Sequence, residues 1–302
     1  MKLQQLKALV AICESGSIQE TARQLHVSQP ALSKTIKELE TTLGVPLLVR
    51  SNRGITPTEY GERLLRRARL MLEEARRARE EIETLKGDMG GKVSIGISPA
   101  TPGAHVVTAF NEYARRCPKV QLQIHEMRPS KLMEGLREGH LDLVLSCQPA
   151  SRYSDGFQWT ELYTQPTALA VRSGHPLRDA RSVTQLSEQR WLLQEPLESS
   201  RIGLMFQQYQ LPPPDNVLEC SSGVIFCELA RSTDVVSYWP LRVLRYMQKI
   251  GQKLEMLEVE EQVPPLNISL VYRNQELITR EARALADELV YVFTNPKAAP
   301  VV

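Results

Sequence analysis

No apolar run in this 302-residue chain approaches the roughly 20 residues needed to span a bilayer as a helix, and no cleavable apolar leader opens it. The expectation is a cytoplasmic protein with no membrane partner. Cysteine is sparse: Cys13, Cys117, Cys147, Cys220 and Cys227 are scattered, odd in number and form no Cys-x-x-Cys pair. That argues against a disulfide framework or a zinc knuckle and leaves buried thiols as the ordinary reading. The signatures of common α/β enzymes are missing too. There is no Gly-x-Ser-x-Gly, no glycine-rich phosphate loop and no His-Glu-x-x-His, and His26, His105, His125, His140 and His175 show no ligand-like spacing. Neither catalysis, a cofactor nor a metal is expected.

What is present is an ordinary globular composition. With 302 residues and 42% apolar content, two or three domains are expected and a disordered chain is excluded. Charge is unevenly spread. The net value is only +2, yet residues 1–58 hold seven Lys and Arg against four Glu, while residues 87–302 hold 22 basic against 24 acidic residues. A basic surplus at one end points to a polyanionic partner there.

Within that basic end, Ala22, Leu25 and Val27 on one segment, and Leu32, Ile36, Leu39 and Leu43 on the next, recur at helical spacing. Between them, His26, Val27 and Ser28 leave room only for a turn. Ser28 is placed to cap the second helix, and Pro30 falls in its first turn, where no backbone donor is needed. The exposed positions of that helix, Gln29, Ser33, Lys34 and Lys37, carry groups that bond base edges or phosphates, and no acid precedes Glu38. Residues 3–14 supply Leu6, Leu9, Val10 and Ile12 as a third packing surface, which completes a helix-turn-helix core. Residues 46–56 read as a short hairpin with Asn52, Arg53 and Gly54 near its tip, a wing flanked by Arg50 and Arg53.

From residue 58 to 86 there is no proline and a single glycine, Gly61, among strong helix formers. Leu64, Ala68, Met71, Ala75, Ala78, Ile82 and Leu85 alternate in steps of four and three, a heptad seam that suits pairing with a second copy or packing on the chain's own body. Gly87, Gly90 and Gly91 then mark a hinge.

Beyond it, apolar alternation predicts strand, helix, strand, helix, strand over residues 93–145, hence a parallel sheet covered by helices. A second block follows, with strands at 168–171, 191–193, 217–219 and 235–238, and helices at 201–210, 223–230 and 241–248. A late strand at 266–272 and a helix at 275–293 close the chain. In such open sheets ligands settle beyond the carboxyl ends of strands, near helix N-termini. The candidates are Ser98, Pro99, Ala100 and Thr101 after the first strand, Ser146 and Cys147 after the third, and Ser199, Ser200 and Arg201 at a helix start.

The run Ala22-x-x-Leu25-x-Val27-Ser28-Gln29-Pro30-Ala31-Leu32-Ser33, then Ile36-x-x-Leu39-Glu40-x-x-Leu43-Gly44-x-x-Leu47-Leu48-x-Arg50, then Thr56-Pro57-Thr58-x-x-Gly61, resembles the LysR-type transcriptional regulators. The resemblance implies a winged helix-turn-helix at 1–58, a dimerisation helix and hinge at 59–91, and a two-lobed α/β effector-binding domain at 92–302, similar to solute-binding folds. Lobe I would span about 92–161 and 267–295, and lobe II about 162–266. Matching the motif position by position implies base reading by Gln29, Pro30 and Ser33 in the helix that Ser28 opens, and phosphate anchoring by Lys34, Lys37, Arg50 and Arg53. It also implies a small, often acidic effector between the lobes, for which the hydroxyls and Arg201 suit an anion. The implied partners are operator DNA, that effector, further copies of the chain as a dimer or a dimer of dimers, and RNA polymerase as a candidate. Two alternatives stand beside this: a redox-sensing regulator using Cys220 and Cys227, as peroxide-sensing relatives use a pair in the second lobe, and an α/β enzyme acting in the cleft.

Overall fold

The computed structural model describes residues 1–51, 54–86, 90–101, 103–147, 156–274 and 278–295. The chain divides into two compact units: Met1–Gly91 with the short segment Arg137–His140, and Lys92–Leu136 with Leu141–Val302.

The first unit contains α1 (Leu3–Ser15), α2 (Ile18–Gln24), α3 (Gln29–Leu43), β1 (Leu48–Ser51), β2 (Gly54–Pro57) and α4 (Glu59–Leu85). Serine opens two of the short helices and glycine closes two. Ser17 and Ser28 accept from the amides of Glu20 and Ala31, and Gly16 and Gly44 end α1 and α3 in the left-handed region. Leu9, Ile12, Ile18, Ala22, Leu32, Ile36, Leu39 and Leu47 form one apolar cluster. The predicted stripes thus meet in a single core, except that Val27, in the turn, and Leu43, at the end of α3, are exposed and Val10 stays outside the cluster. The hairpin is antiparallel, with Leu48 opposite Pro57 and Ser51 opposite Gly54. Asn52 and Arg53, predicted at its tip, and Gly87 of the predicted hinge lie outside the described residues.

Helix α4 begins one residue after Thr58, whose hydroxyl accepts the Gly61 amide at 3.0 Å. Its heptad seam divides. Leu64 packs on the core and Ala68 is fully buried, whereas Met71, Ala78, Ile82 and Leu85 are exposed, Leu85 at 85%.

In the second unit, β3 (Lys92–Ile97), α5 (Gly103–Arg116), β4 (Gln121–Glu126), α6 (Pro129–Glu138), β5 (Leu143–Cys147) and β6 (Gln158–Gln165) lead to β7 (Thr167–Arg172) and β8 (Arg190–Leu193). Then come α7 (Arg201–Gln208), β9 (Val217–Glu219), α8 (Gly223–Ser232), β10 (Val235–Pro240), α9 (Leu241–Lys249), β11 (Leu254–Met256), β12 (Leu266–Tyr272) and α10 (Arg280–Thr294). Two five-stranded sheets result, ordered β4-β3-β5-β12-β6 and β11-β7-β10-β8-β9. Helices cover both faces of each. Residues of α5 and α10 share a cluster with Val93, Ile95, Leu143 and Leu145, and those of α6 share another with Val144 and Val271. The second sheet is lined on one face by Ile202, Met205 and Phe206 of α7, and on the other by Phe226 and Leu244 of α8 and α9.

Four expectations are corrected here. The sheets are mixed: β3 runs parallel to β4 and β5, but β12 is antiparallel to β5 and β6, and β7 is antiparallel to β10 and β11. Strands β6 and β11 escaped the sequence reading, because β6 is a polar edge strand and β11 has three residues. As a consequence the chain leaves the first sheet after Gln165 and not at 161, and rejoins it at Leu266. Finally, α10 starts at Arg280, fixed by Thr279 accepting the Ala282 amide, and not at 275; Gln275 lies outside the described residues. No helix among the described residues is long and apolar enough to cross a membrane.

Candidate functional site

Two faces hold the residues that sequence reasoning selected. On the first unit, α3 exposes Gln29, Pro30, Lys34 and Lys37, with Ser33 half-buried beside them. Burial of Leu32, Ile36 and Leu39 on the opposite side sets that face outward. Lys34 lies 4.0 Å from Glu38, one turn on, and both are well exposed, so this pair leaves the lysine available to another anion. The Ser28 hydroxyl is occupied as the helix cap, accepting from Ala31 at 3.3 Å. Arg50 sits on β1 opposite Ile55; its side chain and all of Arg53 lie outside the described residues.

The wing and α3 are joined by a residue the sequence reading had left without a role. Glu40 accepts the amides of Leu47 at 2.7 Å and Leu48 at 3.3 Å, so the helix that would enter DNA is tied to the start of the hairpin. The Ile55 amide donates to the Gly16 carbonyl at 3.0 Å, which anchors the hairpin's other strand to the end of α1.

In the second unit, the carboxyl ends of β3, β5 and β8 and the start of α7 converge on a cleft of about 690 Å³, its open mouth included. Seven of the nine candidates line it: Ser98, Pro99, Ala100, Cys147, Ser199, Ser200 and Arg201. Thr101 and Ser146 do not. The Thr101 hydroxyl is 3.2 Å from that of Ser98 and donates to Leu145, and the Ser146 hydroxyl donates to the Cys147 carbonyl, so both are consumed inside the protein. The Ser199 and Ser200 hydroxyls also have local duties, donating to Pro196 and Leu197 at 3.1 and 2.8 Å; Ser200 in addition accepts the Gly203 amide as the α7 cap. Gly203 allows this tight winding, since a β-carbon there would fall 2.1 Å from the Leu197 oxygen.

Sequence reasoning missed the rest of the wall: Gln194 and Glu195 beyond β8, Tyr238 and Pro240 on β10, Phe226 on α8, and Leu266. Tyr238 is oriented by donating to the Pro264 carbonyl at 2.7 Å. Among the described residues, Glu195 is the one acid in the lining and Arg201 the one base. Burial pushes the Glu195 carboxyl up to about 7, although Arg128 and Arg201 pull it down. Behind the lining, Gln165 donates to the Ala100 carbonyl at 3.2 Å and accepts from Tyr163, which ties the ligand-side loop to the segment crossing between the sheets.

Cys147 is buried, and burial raises its thiol to about 11, far from a reactive thiolate at neutral pH. All five cysteines are free; Cys220 and Cys227 pack at the edge of one apolar cluster, and burial also raises Cys227. Among the described residues, no group of three or more His, Cys, Asp or Glu is placed to hold a metal.

Comparison with known proteins accounts for both units. The model of bacterial regulatory helix-turn-helix proteins of the lysR family matches residues 3–62, and that of the LysR substrate binding domain matches residues 86–294. The chain is 33% identical over 257 residues to the HTH-type transcriptional regulator GbpR of Azospirillum brasilense, covering 83% of this chain and 75% of that protein. It is 34% identical over 177 residues to the HTH-type transcriptional regulator PcaQ of Agrobacterium fabrum, covering 59% and 57%. Among solved structures, CbnR, a LysR family transcriptional regulator, aligns with a TM-score of 0.68 at 20% identity, over 98% of this chain and 100% of that one. A full-length OxyR variant from Pseudomonas aeruginosa aligns at 0.63 and 24% identity, over 96% and 94%. At these identities the structures speak to the fold alone. Two family models over two units, together with a relative matched across most of its length, lead to one assignment: the chain belongs to the LysR family.

Proposed function

We infer that this protein is a transcriptional regulator that binds a specific operator on duplex DNA and responds to a small anionic effector. Residues 1–58 are the DNA-binding domain in this reading, 59–91 the pairing helix and hinge, and 92–302 the effector-binding domain. Gln29, Pro30 and Ser33 read bases; Lys34, Lys37, Arg50 and Arg53 hold phosphates; Ser28 fixes the helix start between them. The observation that carries the reading is the outward face of α3, polar, basic and free of acid before Glu38, on a helix whose other side is the core of a three-helix module. The family includes CbnR, for which a structure complexed with target DNA aligns over 97% of this chain.

The effector reading rests on the cleft, where Arg201 and the start of α7 offer positive potential between apolar walls. Two copies pair through the exposed part of the α4 seam, so that two recognition helices engage a near-palindromic site, and RNA polymerase is met at the promoter. The setting is cytoplasmic.

The test is competition binding of the full chain to genomic fragments against scrambled DNA, with and without a panel of organic acids. Preference for particular fragments, shifted by one or more acids and insensitive to them in Arg201→Ala, is expected. Equal affinity for every fragment in every condition overturns the regulator reading.

A further inference from the structure

The cleft that Proposed function assigns to an anion also holds a carboxylate, which a simple acid does not use. Glu195 lies beyond the carboxyl end of β8 and Arg201 opens α7, so the acid and the base of the lining stand six residues apart on the loop that runs between these two elements. Of the remaining polar lining, the Gln194 amide is neutral and carries no charge to match either group. Leu192, Leu193, Ile202 and Phe226 are apolar, and the hydroxyls of Ser199, Ser200 and Tyr238 already donate to carbonyls of the protein.

No hydrogen bond reaches the Glu195 carboxylate from any described residue, and the side chain is half-buried in the cleft wall. A half-buried carboxylate to which no described residue donates is an open acceptor in the cleft wall, and a cationic donor arriving there gains a charge-assisted bond. Partial burial raises the group to about 7 against the pull of Arg128 and Arg201. A monocarboxylate docking at Arg201 would worsen this by bringing a like charge towards Glu195. A ligand that carries a protonated amine beside its carboxylate would satisfy both ends.

We propose that the effector is an amino-acid-like zwitterion whose carboxylate meets Arg201 and the start of α7, and whose ammonium group meets Glu195, the specificity-determining residue of the cleft. This rests on the effector reading given above. Apolar walls from β8, α7 and α8 would then take a side chain of modest size. Loss of the amine would remove the donor for Glu195, and a site built around a buried polar group rejects an analogue lacking its partner far more strongly than one lacking a methylene.

The test is isothermal titration of the full-length protein with the twenty common amino acids and with matched acids lacking the amine, such as propionate against alanine and glutarate against glutamate. Expected is binding by at least one amino acid, at least tenfold tighter than its des-amino partner, with that preference reduced to about twofold or reversed in Glu195→Gln. The same variant should still bind the des-amino acid, which shows that it folds. A des-amino acid that binds as tightly as its amino counterpart overturns the inference, as does silence from all twenty amino acids. If an anion then binds in wild type and is lost in Arg201→Ala, the zwitterion assignment has failed while the anion cleft stands. If nothing binds at all, both have failed.

Discussion

Gly61 and Leu47 approach so closely that a β-carbon on the glycine would lie 2.0 Å from the Leu47 carbonyl oxygen. That oxygen also accepts the Thr58 amide at 2.9 Å, so it is held in place from the same side. The lone glycine of a long helix is there because α4 crosses the backbone that enters the wing.

Gly61→Ala therefore sets two effects against each other. In an exposed helix the change would stabilise by about 1 kcal/mol. Here the clash is with backbone, and overpacking of this kind costs about 2–3 kcal/mol, so the net sign is destabilising. Denaturant unfolding of residues 1–91, followed as helix signal, should shift to lower denaturant in Gly61→Ala; an unchanged or later midpoint would contradict the geometry.

Gln29→Ala and Lys34→Ala should fail in different ways. Removing a base-reading amide costs about 1–3 kcal/mol and mainly at one base pair, whereas removing a phosphate contact weakens all sequences and lowers the salt slope by about one. Binding measured on single-base operator variants at two or more salt concentrations separates them. A uniform loss from Gln29→Ala would remove it from the reading face.

Ile82 and Leu85 are 54% and 85% exposed on an amphipathic helix, left uncovered by the described residues of the single chain. Replacing both with Lys should lower the mass seen in analytical ultracentrifugation and weaken operator binding, while leaving monomer stability within about 0.5 kcal/mol. Unaltered mass would assign the seam to another role.

Glu195 should also make stability depend on pH. Its carboxyl is raised from 4.5 to about 7 in the folded protein by burial, with Arg128 and Arg201 opposing and the buried Cys147 thiol nearby. At pH values below 4.5 the group is neutral in both states and the cost vanishes; as pH rises to 7 the unfolded chain ionises freely while the folded one resists. Wild type should therefore lose stability relative to Glu195→Gln across that window, by at most on the order of 3 kcal/mol, and the gap should stay constant above it. Parallel melting curves from about pH 4.5 to 8 would contradict the raised value.

The helix-turn-helix was legible because its signals are local. Ser28, Pro30 and Gly44 mark the ends of α3, and the spacing of Leu32, Ile36 and Leu39 gives its inner face. The sheets were legible only as strands. Direction depends on which neighbour each strand pairs with, and nothing in the apolar run of residues 266–272 says that β12 returns antiparallel between β5 and β6. In the cleft, strand-end position found Ser98, Cys147 and Arg201, but it could not tell a hydroxyl facing solvent from one consumed internally, as at Thr101 and Ser146. Glu195 was overlooked because an acid between Gln194 and Pro196 looks like any solvated loop until burial is known.

The Glu40 carboxylate, bonded to two successive amides at the foot of the hairpin, has a consequence for how a signal reaches DNA. If α3 and the wing grip DNA as proposed above, Glu40 makes them move together, because separating them breaks two charge-assisted bonds. Any switch between tight and loose grip must then work by resetting the distance or tilt between one such pair and its twin, and operators differing only in the spacing of their half-sites would report it.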